Sequence, residues 1–304
     1  MPDRPRVVAL GGGHGLAAAL RAARRYAGDL TAVVSVADDG GSSGRLRRDL
    51  DVLPPGDLRT CLVALAAPDN LWARAFEHRF AAGELKGHPL GNLILAGLDE
   101  TLDDPVAAID AAARLLGTTA RIRPATAEPV VLKADIDGGS VEGQVAVMTA
   151  DERIRHVHLV PHDAPAHPDA LAALARADQV LLAPGSLYTS LLPVLCVPGI
   201  GEAVTTTPGL VVQVCNLRPQ PPETTGLDAA DHLRAVLDHG ARVDVFLSER
   251  DGALPLDEAR VRAWGVRPVT GALAGRSGLV HDPAKLALAL ENLLESRPDQ
   301  GVPT

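Results

Sequence analysis

The stretch Arg6-Val-Val-Ala-Leu10, followed at once by Gly11-Gly-Gly-His-Gly15, sets a short apolar run against a glycine-rich turn. Leu16 to Tyr26, rich in Ala and Arg, then reads as a helix with Leu16, Ala19, Leu20 and Ala23 on one face. Leu30 to Val36 is a second buried run, free of charges. Strand, turn, helix and strand within about 30 residues form a βαβ unit, which builds a parallel sheet.

The same alternation continues along the chain. Helical periodicity marks Arg59–Ala67, Leu71–Ala82, Gly91–Leu98 and Pro105–Leu116. Between residues 127 and 154 the pattern changes to alternating runs at Val130–Ala134 and Val141–Val147, joined through Asp137-Gly-Gly139, which predicts a β-hairpin inserted between helices. Val157–Val160, Pro168–Arg176, Gln179–Ala183, Thr189–Leu195, Leu210–Cys215, Asp228–His239, Arg242–Leu247 and Pro283–Leu294 resume the strand and helix alternation. The expectation is a Rossmann-like α/β fold. Its sheet is largely parallel with helices on both faces, one domain spans residues 1–295, and a frayed tail covers 296–304.

Composition narrows the function. The 304 residues are 46% hydrophobic and 22% charged, as globular proteins are, which excludes disorder and collagen-like structure. Aromatics are only 2%, which disfavours modules that stack nucleobases on aromatic rings. The net charge of -9 lacks the footprint that nucleic acid or an anionic membrane surface selects. Cys61, Cys196 and Cys215 are scattered in apolar stretches and read as buried thiols. No apolar run approaches the ~18 residues of a membrane span. A reduced, soluble, cytoplasmic protein without membrane insertion is expected. His156, His158, His162 and His167 crowd one segment, but their spacing fits neither HExxH nor a zinc ribbon.

In an open parallel sheet, ligands sit beyond the carboxyl ends of the strands. The polar loops of this chain stand there. Gly12, Gly13, His14 and Gly15 follow the first strand and open a helix, an arrangement whose N–H groups attract phosphate. Gly13-His-Gly-Leu-Ala-Ala18 also fits the G-x-G-x-x-A pattern, with Asp38 about 20 residues on, although a glycine turn that merely allows close packing gives the same signal. Asp38, Asp39, Gly40, Gly41, Ser42, Ser43 and Gly44 follow the second strand as a flexible cluster of acids and donors. Two carboxylates beside a phosphate repel it unless Mg²⁺ or a basic residue intervenes. Asp57 is either the N-cap of a helix or a residue that positions Arg59 or the ligand. His88 is either a phosphate donor or an ordinary loop histidine. Gly185, Ser186, Tyr188 and Thr189 stand at a strand-to-helix junction, as hydroxyl-bearing caps or as ligand contacts, and Asn216 closes the Leu210 strand.

Taken together these loops resemble the YvcK family of gluconeogenesis factors, the UDP-N-acetylglucosamine-binding proteins of the CofD-like superfamily. The matching stretches are Gly11–Gly15, Ala37-Asp-Asp-Gly-Gly-Ser-Ser-Gly-Arg-Leu46, Pro55-Gly-Asp-Leu-Arg59, Cys61–Leu65, Gly91-Asn-Leu93, Pro184-Gly-Ser-Leu-Tyr-Thr-Ser190, Gly199-Ile, Asn216-Leu, Gln220-Pro, Glu223-Thr and Asp231-His232. The resemblance runs from residue 6 to about 294, with His14, Thr60, Ala183 and Pro222 as departures from its usual pattern. It implies a site for a UDP-sugar that includes Asn92 with the loop residues named above. It also implies a non-catalytic role in cell-wall precursor metabolism and cell shape, clearest during gluconeogenic growth. No cofactor is required in that reading, and a homodimer and a regulatory protein partner are compatible with it.

Two alternatives stay open. The related CofD enzymes transfer phospholactate to a deazaflavin precursor with Mg²⁺, which Asp38 and Asp39, or one of them with Asp57, would hold here. An NAD-binding oxidoreductase is the other. No evident base, nucleophile or hydride site stands out in the sequence, which favours a binding protein over an enzyme.

Overall fold

The computed structural model describes residues 4–296. Apart from Ser296, which closes the last helix, the expected tail lies outside the described residues. Ten strands follow one another as β1 (Arg6–Gly11), β2 (Asp29–Val34), β3 (Arg121–Pro124), β4 (Val131–Ile136), β5 (Gly139–Glu142), β6 (Ile154–Val160), β7 (Gln179–Leu182), β8 (Leu210–Val214), β9 (Val245–Glu249) and β10 (Arg267–Gly271).

Seven of them form one sheet in the order β10-β9-β8-β7-β1-β2-β3. Every neighbouring pair in it is parallel. The chain therefore steps outward from β1 to β2 and β3, then returns to the other side of β1 through β7. The crevice where the order reverses lies at the carboxyl ends of β1 and β7.

Strand residues alternate between two cores. Val8, Leu10, Val180 and Leu182 face one cluster with the helices Pro168–Leu174, Ile200–Thr206 and Ala229–Asp238. Val7, Ala9, Leu181 and Val212 face the other, with the helices Gly13–Ala23, Pro55–Leu65 and Pro283–Glu295. A strand covered on both faces is apolar at nearly every position, as in Val7–Leu10, Val180–Leu182 and Leu210–Val212, and the buried polar exceptions Gln179 and Gln213 are hydrogen-bonded.

The expected hairpin is present, and it is larger than expected. β4, β5 and β6 form a separate antiparallel sheet in the order β5-β4-β6. The run Val141–Val147 divides: β5 stops at Glu142, Gly143 turns with φ of 100°, and Gln144–Met148 is a short helix. Val157–Val160 does not rejoin the main sheet but pairs with β4 through Val131↔Val160 and Ala134↔Val157. Its alternation explains this, because Ile154, Val157 and Leu159 are buried while Arg155 and His156 are exposed. Such a strand covers one face only.

A second correction concerns Gly40–Gly44, which is not a flexible loop. Gly41–Leu50 is a helix, with Gly40 extended at its N-cap. A Cβ on Gly44 would stand 1.8 Å from the Asp39 carbonyl oxygen, so this glycine serves close approach rather than mobility. The expected helix at Thr189–Leu195 begins earlier, as a π-helical turn over Leu187–Leu191 that runs into Leu192–Leu195.

The two crossover turns at the crevice touch backbone to backbone. A Cβ on Gly15 would lie 1.8 Å from the carbonyl oxygen of Pro184 and 2.6 Å from the Cα of Gly185. Neither atom can swing aside as a side chain would. The Gly15→Ala protein is expected to lose about 3 kcal/mol of unfolding free energy in urea titration. An unchanged midpoint and slope would mean that the turns are not in contact.

Candidate functional site

The turn after β1 divides two cavities. Gly11 and Gly13 adopt φ of 146° and 57°, which lets the chain reverse directly into the helix Gly13–Ala23. Gly12 is buried against Asp57: a Cβ there would stand 2.2 Å from Asp57 Oδ2. The Gly13 amide donates to the Asp57 carboxylate. His14 is exposed and lines both cavities.

The first cavity, of about 370 Å³, lies on the β7 and β8 side and is lined by Gly15, Gly185, Asn216 and Gln220. Asn216 fixes its rim. The Asn216 Oδ1 accepts from the Gly185 amide at 2.7 Å, and its Nδ2 donates to the Gly185 carbonyl at 2.8 Å and to Gln220 Oε1 at 3.0 Å. Leu217, Pro219, Pro221, Leu279 and Val280 give this cavity apolar walls, and His281 closes it.

The second cavity, of about 270 Å³, lies on the β2 side and is polar. It gathers Asp38, Gly40, Gly41, Ser42, Ser43, Asp57, Arg59 and Asn92 from the sequence-predicted set, and adds Arg79 and Thr60. The N-terminus of the helix Gly41–Leu50 forms one wall. Asp38 Oδ1 accepts from the Gly40 amide at 2.9 Å, and Ser43 Oγ accepts from the Gly56 amide at 3.1 Å. Ser42 Oγ is held by Asn92 Nδ2 at 3.0 Å and His88 Nδ1 at 2.8 Å. His88 is buried, and burial lowers its pKa, so the ring is a neutral support for Ser42 rather than a charged phosphate donor. Burial also lowers the pKa of Arg59, which sits near Arg79.

Asp57 is not the N-cap of its helix. That helix starts at Pro55 with Pro54 as the cap, which places Asp57 in the first turn beneath the glycine turn. Withdrawal from water, reinforced by the Asp38 charge, pushes its carboxyl up to about 7. Its proton is therefore held far above the pH at which an ordinary aspartate releases it.

Four of the predicted residues are engaged elsewhere. Asp39 turns away from Asp38: its Oδ2 and Oδ1 accept from the Gln144 and Val145 amides at 2.9 and 3.0 Å, capping the short helix of the inserted sheet. That leaves Asp38 and Asp57, not Asp38 and Asp39, as the neighbouring acids that a divalent cation would meet. Ser186, Tyr188 and Thr189 bind Glu223 instead of lining either cavity. Ser186 Oγ donates to Glu223 Oε2, and the Tyr188 and Thr189 amides donate to Oε1 at 2.7 and 3.1 Å. Tyr188 packs in the hydrophobic core. Burial raises the pKa of Glu223, and the three donors oppose that rise.

Glu223, Gln220, Arg79 and His281 were not among the predicted site residues. Glu223 had a visible signal, as the acid that follows Gln220-Pro-Pro222 in the loop after β8. His281 had only its place before Asp282-Pro283, a helix-start signal that says nothing of a cavity. The histidines of the inserted segment are not a site either: His156 stacks on His239 with ring centroids 4.2 Å apart. Among the described residues no three His, Cys, Asp or Glu side chains are grouped to hold a metal ion. No single helix there is long and apolar enough to cross a membrane, and the bent pair Leu187–Leu195 and Ile200–Thr206 places the first of its two arms in the core.

The raised Asp57 carboxyl sets the sign of one pH dependence. The folded protein holds this proton up to about pH 7, whereas the unfolded chain releases it near 3.8. The Asp57 contribution to stability is therefore fully present below about pH 4 and is lost as pH rises to about 7. Replacing it by Asn keeps an acceptor for Gly13 and removes the charge. Asp57→Asn is expected to gain up to about 4 kcal/mol over the parent at pH 8 and close to nothing at pH 4, by urea unfolding. A pH-independent difference would mean that the carboxylate is ionised throughout.

Comparison with known proteins gives a consistent picture. The family model of 2-phospho-L-lactate transferase CofD matches residues 7–267. A putative gluconeogenesis factor of Mycobacterium tuberculosis is 43% identical over 306 residues, covering 94% of this chain and 90% of its own. The gluconeogenesis factor of Bacillus subtilis is 42% identical over 241 residues, covering 79% of this chain and 76% of its own. The crystal structure of a UPF0052 family member from Bacillus halodurans superposes with a TM-score of 0.90 at 37% identity, over 95% of this chain and 99% of that one. With a family model matched from β1 into β10 and relatives alike over almost their whole length, this chain belongs to the CofD-like family of gluconeogenesis factors.

Proposed function

We propose that this chain binds a nucleotide sugar of the UDP-N-acetylglucosamine type and leaves it intact, as a cytoplasmic regulator of cell-wall precursor metabolism and cell shape during gluconeogenic growth. One observation carries the reading: a glycine turn at a helix N-terminus separates an apolar-walled cavity from a polar one at the reversal point of a parallel sheet. The turn suits a diphosphate, whose oxygens take the amides that a helix N-terminus leaves unpaired. The first cavity suits a base and the second a sugar, since hydroxyls find Asp38, Ser43 and Arg59 there. The first volume, about 370 Å³, lies in the range of small-molecule sites, and the second, about 270 Å³, is just below it.

A second reading has its own observation. Asp38 and Asp57 are close enough for the first to raise the pKa of the second, and a divalent cation would relieve that repulsion. Such a site would serve a Mg²⁺-dependent phospho-group transferase of the kind that gives the family its name.

Titration calorimetry with UDP-N-acetylglucosamine, with Mg²⁺ and with EDTA, separates the two. Binding that is unaffected by EDTA, with the ligand recovered intact after long incubation, is expected. Metal-dependent binding with product formation would favour the transferase. Gly13→Asp adds a carboxylate whose Cβ has room, 3.9 Å from Asp57 Oδ1, but at a φ of 57° that costs a side chain some strain, so the variant's unfolding midpoint is measured beside its affinity. It is expected to weaken binding by about tenfold or more. Unchanged affinity would place the diphosphate elsewhere.

A further inference from the structure

The outer edge of the inserted sheet is closed by side chains rather than by another strand. β6 pairs with β4 on one side. On its other side the buried Val157 meets two helices. Its carbonyl accepts from Cys196 Sγ at 3.2 Å, just past the helix Leu192–Leu195. Its amide donates to His239 Nε2 at 3.2 Å, just past the helix Ala229–Asp238. Burial pushes the Cys196 thiol up to about 12, so the sulfur keeps its proton as a donor over the whole physiological range. The histidine has no such constancy.

Both ring nitrogens of His239 are committed. Nδ1 lies 2.7 Å from the Ala235 carbonyl, which can only accept, so the proton sits on Nδ1 and the Nε2 lone pair takes the Val157 amide. A second proton would go to Nε2 and set two N–H groups against each other, and Val157 is too buried for its amide to turn to water. His156 of β6 stacks on this ring, with centroids 4.2 Å apart and planes 9° from parallel. A charge on either ring therefore opposes a charge on the other. Asp238, the last residue of the helix, favours the charged form of His239 but is already paired with Arg234. On the sheet, Asp135 stands opposite His156 and Lys133 opposite His158 in the β4 register. Burial first, with the His156 charge in support, holds the His239 ring below the ordinary histidine value of 6.5.

We propose that the His156–His239 pair is a proton-operated latch on the inserted sheet: a neutral His239 fastens the edge of β6 to the body of the protein, and a charged one lets that edge go. The opened ring takes a proton near the ordinary value and the fastened ring only at lower pH, so acid favours the opened state. The latch needs no ligand. β4 links it toward the polar cavity, since it pairs with β6 at Ala134↔Val157 and its Leu132 carbonyl accepts from Gly143. The next two amides, of Gln144 and Val145, are those that hold Asp39.

The test is nuclear magnetic resonance of the full chain between about pH 7.5 and about pH 5, where histidines titrate. Histidine ring signals are followed beside amide exchange, the latter as protection factors so that the intrinsic pH dependence of exchange is removed. Val157 protection is expected to be level above about pH 6.5 and to fall by up to about tenfold per pH unit below it, until the His239 ring itself has titrated. Amides of β1, in the middle of the main sheet, should keep their protection. His239→Gln retains an acceptor for Val157 and cannot be charged, so its Val157 protection should not change with pH. His156→Ala should raise the midpoint of His239. Val157 protection that stays level while His239 titrates would overturn the latch, as would an equal loss in His239→Gln. Loss of the β1 amides at the same pH would overturn it too, in favour of general unfolding by acid. The parent titration needs no variant, so a variant that fails to fold leaves the test intact.

Discussion

Two crossover turns meet at Gly15 and Gly185 with no side chain between them, and the site depends on that contact. Each turn follows a strand on one side of the reversal in strand order, so their approach closes the floor of the crevice. Asn216, from the end of β8, holds both the amide and the carbonyl of Gly185, which ties a third strand end to the same point. Glu223, farther along that loop, gathers the hydroxyl of Ser186 and the next two free amides of the π-helical turn. A site for a ligand with several polar groups needs its donors fixed before the ligand arrives, and here backbone contacts do most of the fixing.

Charge is distributed with similar economy of position. Asp38 and Asp39 are neighbours in sequence, yet one lines the polar cavity and the other caps the helix of the inserted sheet. Asp57 stands behind the glycine turn, where burial first and the Asp38 charge second raise its pKa. An acid whose pKa is raised toward neutrality carries less negative charge beneath the turn than an ordinary carboxylate would. The cationic side chains Arg59 and Arg79 line the same polar cavity, so the field there is mixed rather than uniformly acidic.

The parallel sheet was legible because strands covered on both faces are almost wholly apolar, and Val7–Leu10, Leu30–Val34 and Leu210–Val214 carry only Thr31 and Gln213 as polar residues and no charge. The glycine turn was legible for the same reason, since it interrupts such a run. Less visible were β3 and β10, short outer strands that carry Arg and Pro among few apolar residues. Gly40-Gly-Ser-Ser-Gly44 looked flexible on helix propensity alone. Burial of Ser42, Ser43 and Gly44 decides otherwise, and burial is a tertiary property. Which of two adjacent aspartates faces a ligand, and that Tyr188 faces the core, depend on partners more than thirty residues away. His281 had no local mark because the cavity it lines is assembled from four separate segments.

The return of the chain to β1 also governs the order in which the protein can fold. β1 pairs with β2 early, but its other edge is filled only by β7, where Arg6 and Asp178 meet across 172 residues. Until β7 emerges from the ribosome, Val7 to Leu10 remain an apolar strand with one unpaired edge, a template for association with other chains. The inserted antiparallel sheet is made between β3 and β7, so it can form from local contacts while β1 waits. The crevice is complete only when the long-range pairing has brought Pro184 against Gly15, and a chain that stops before β7 carries the glycine turn without the wall that packs against it.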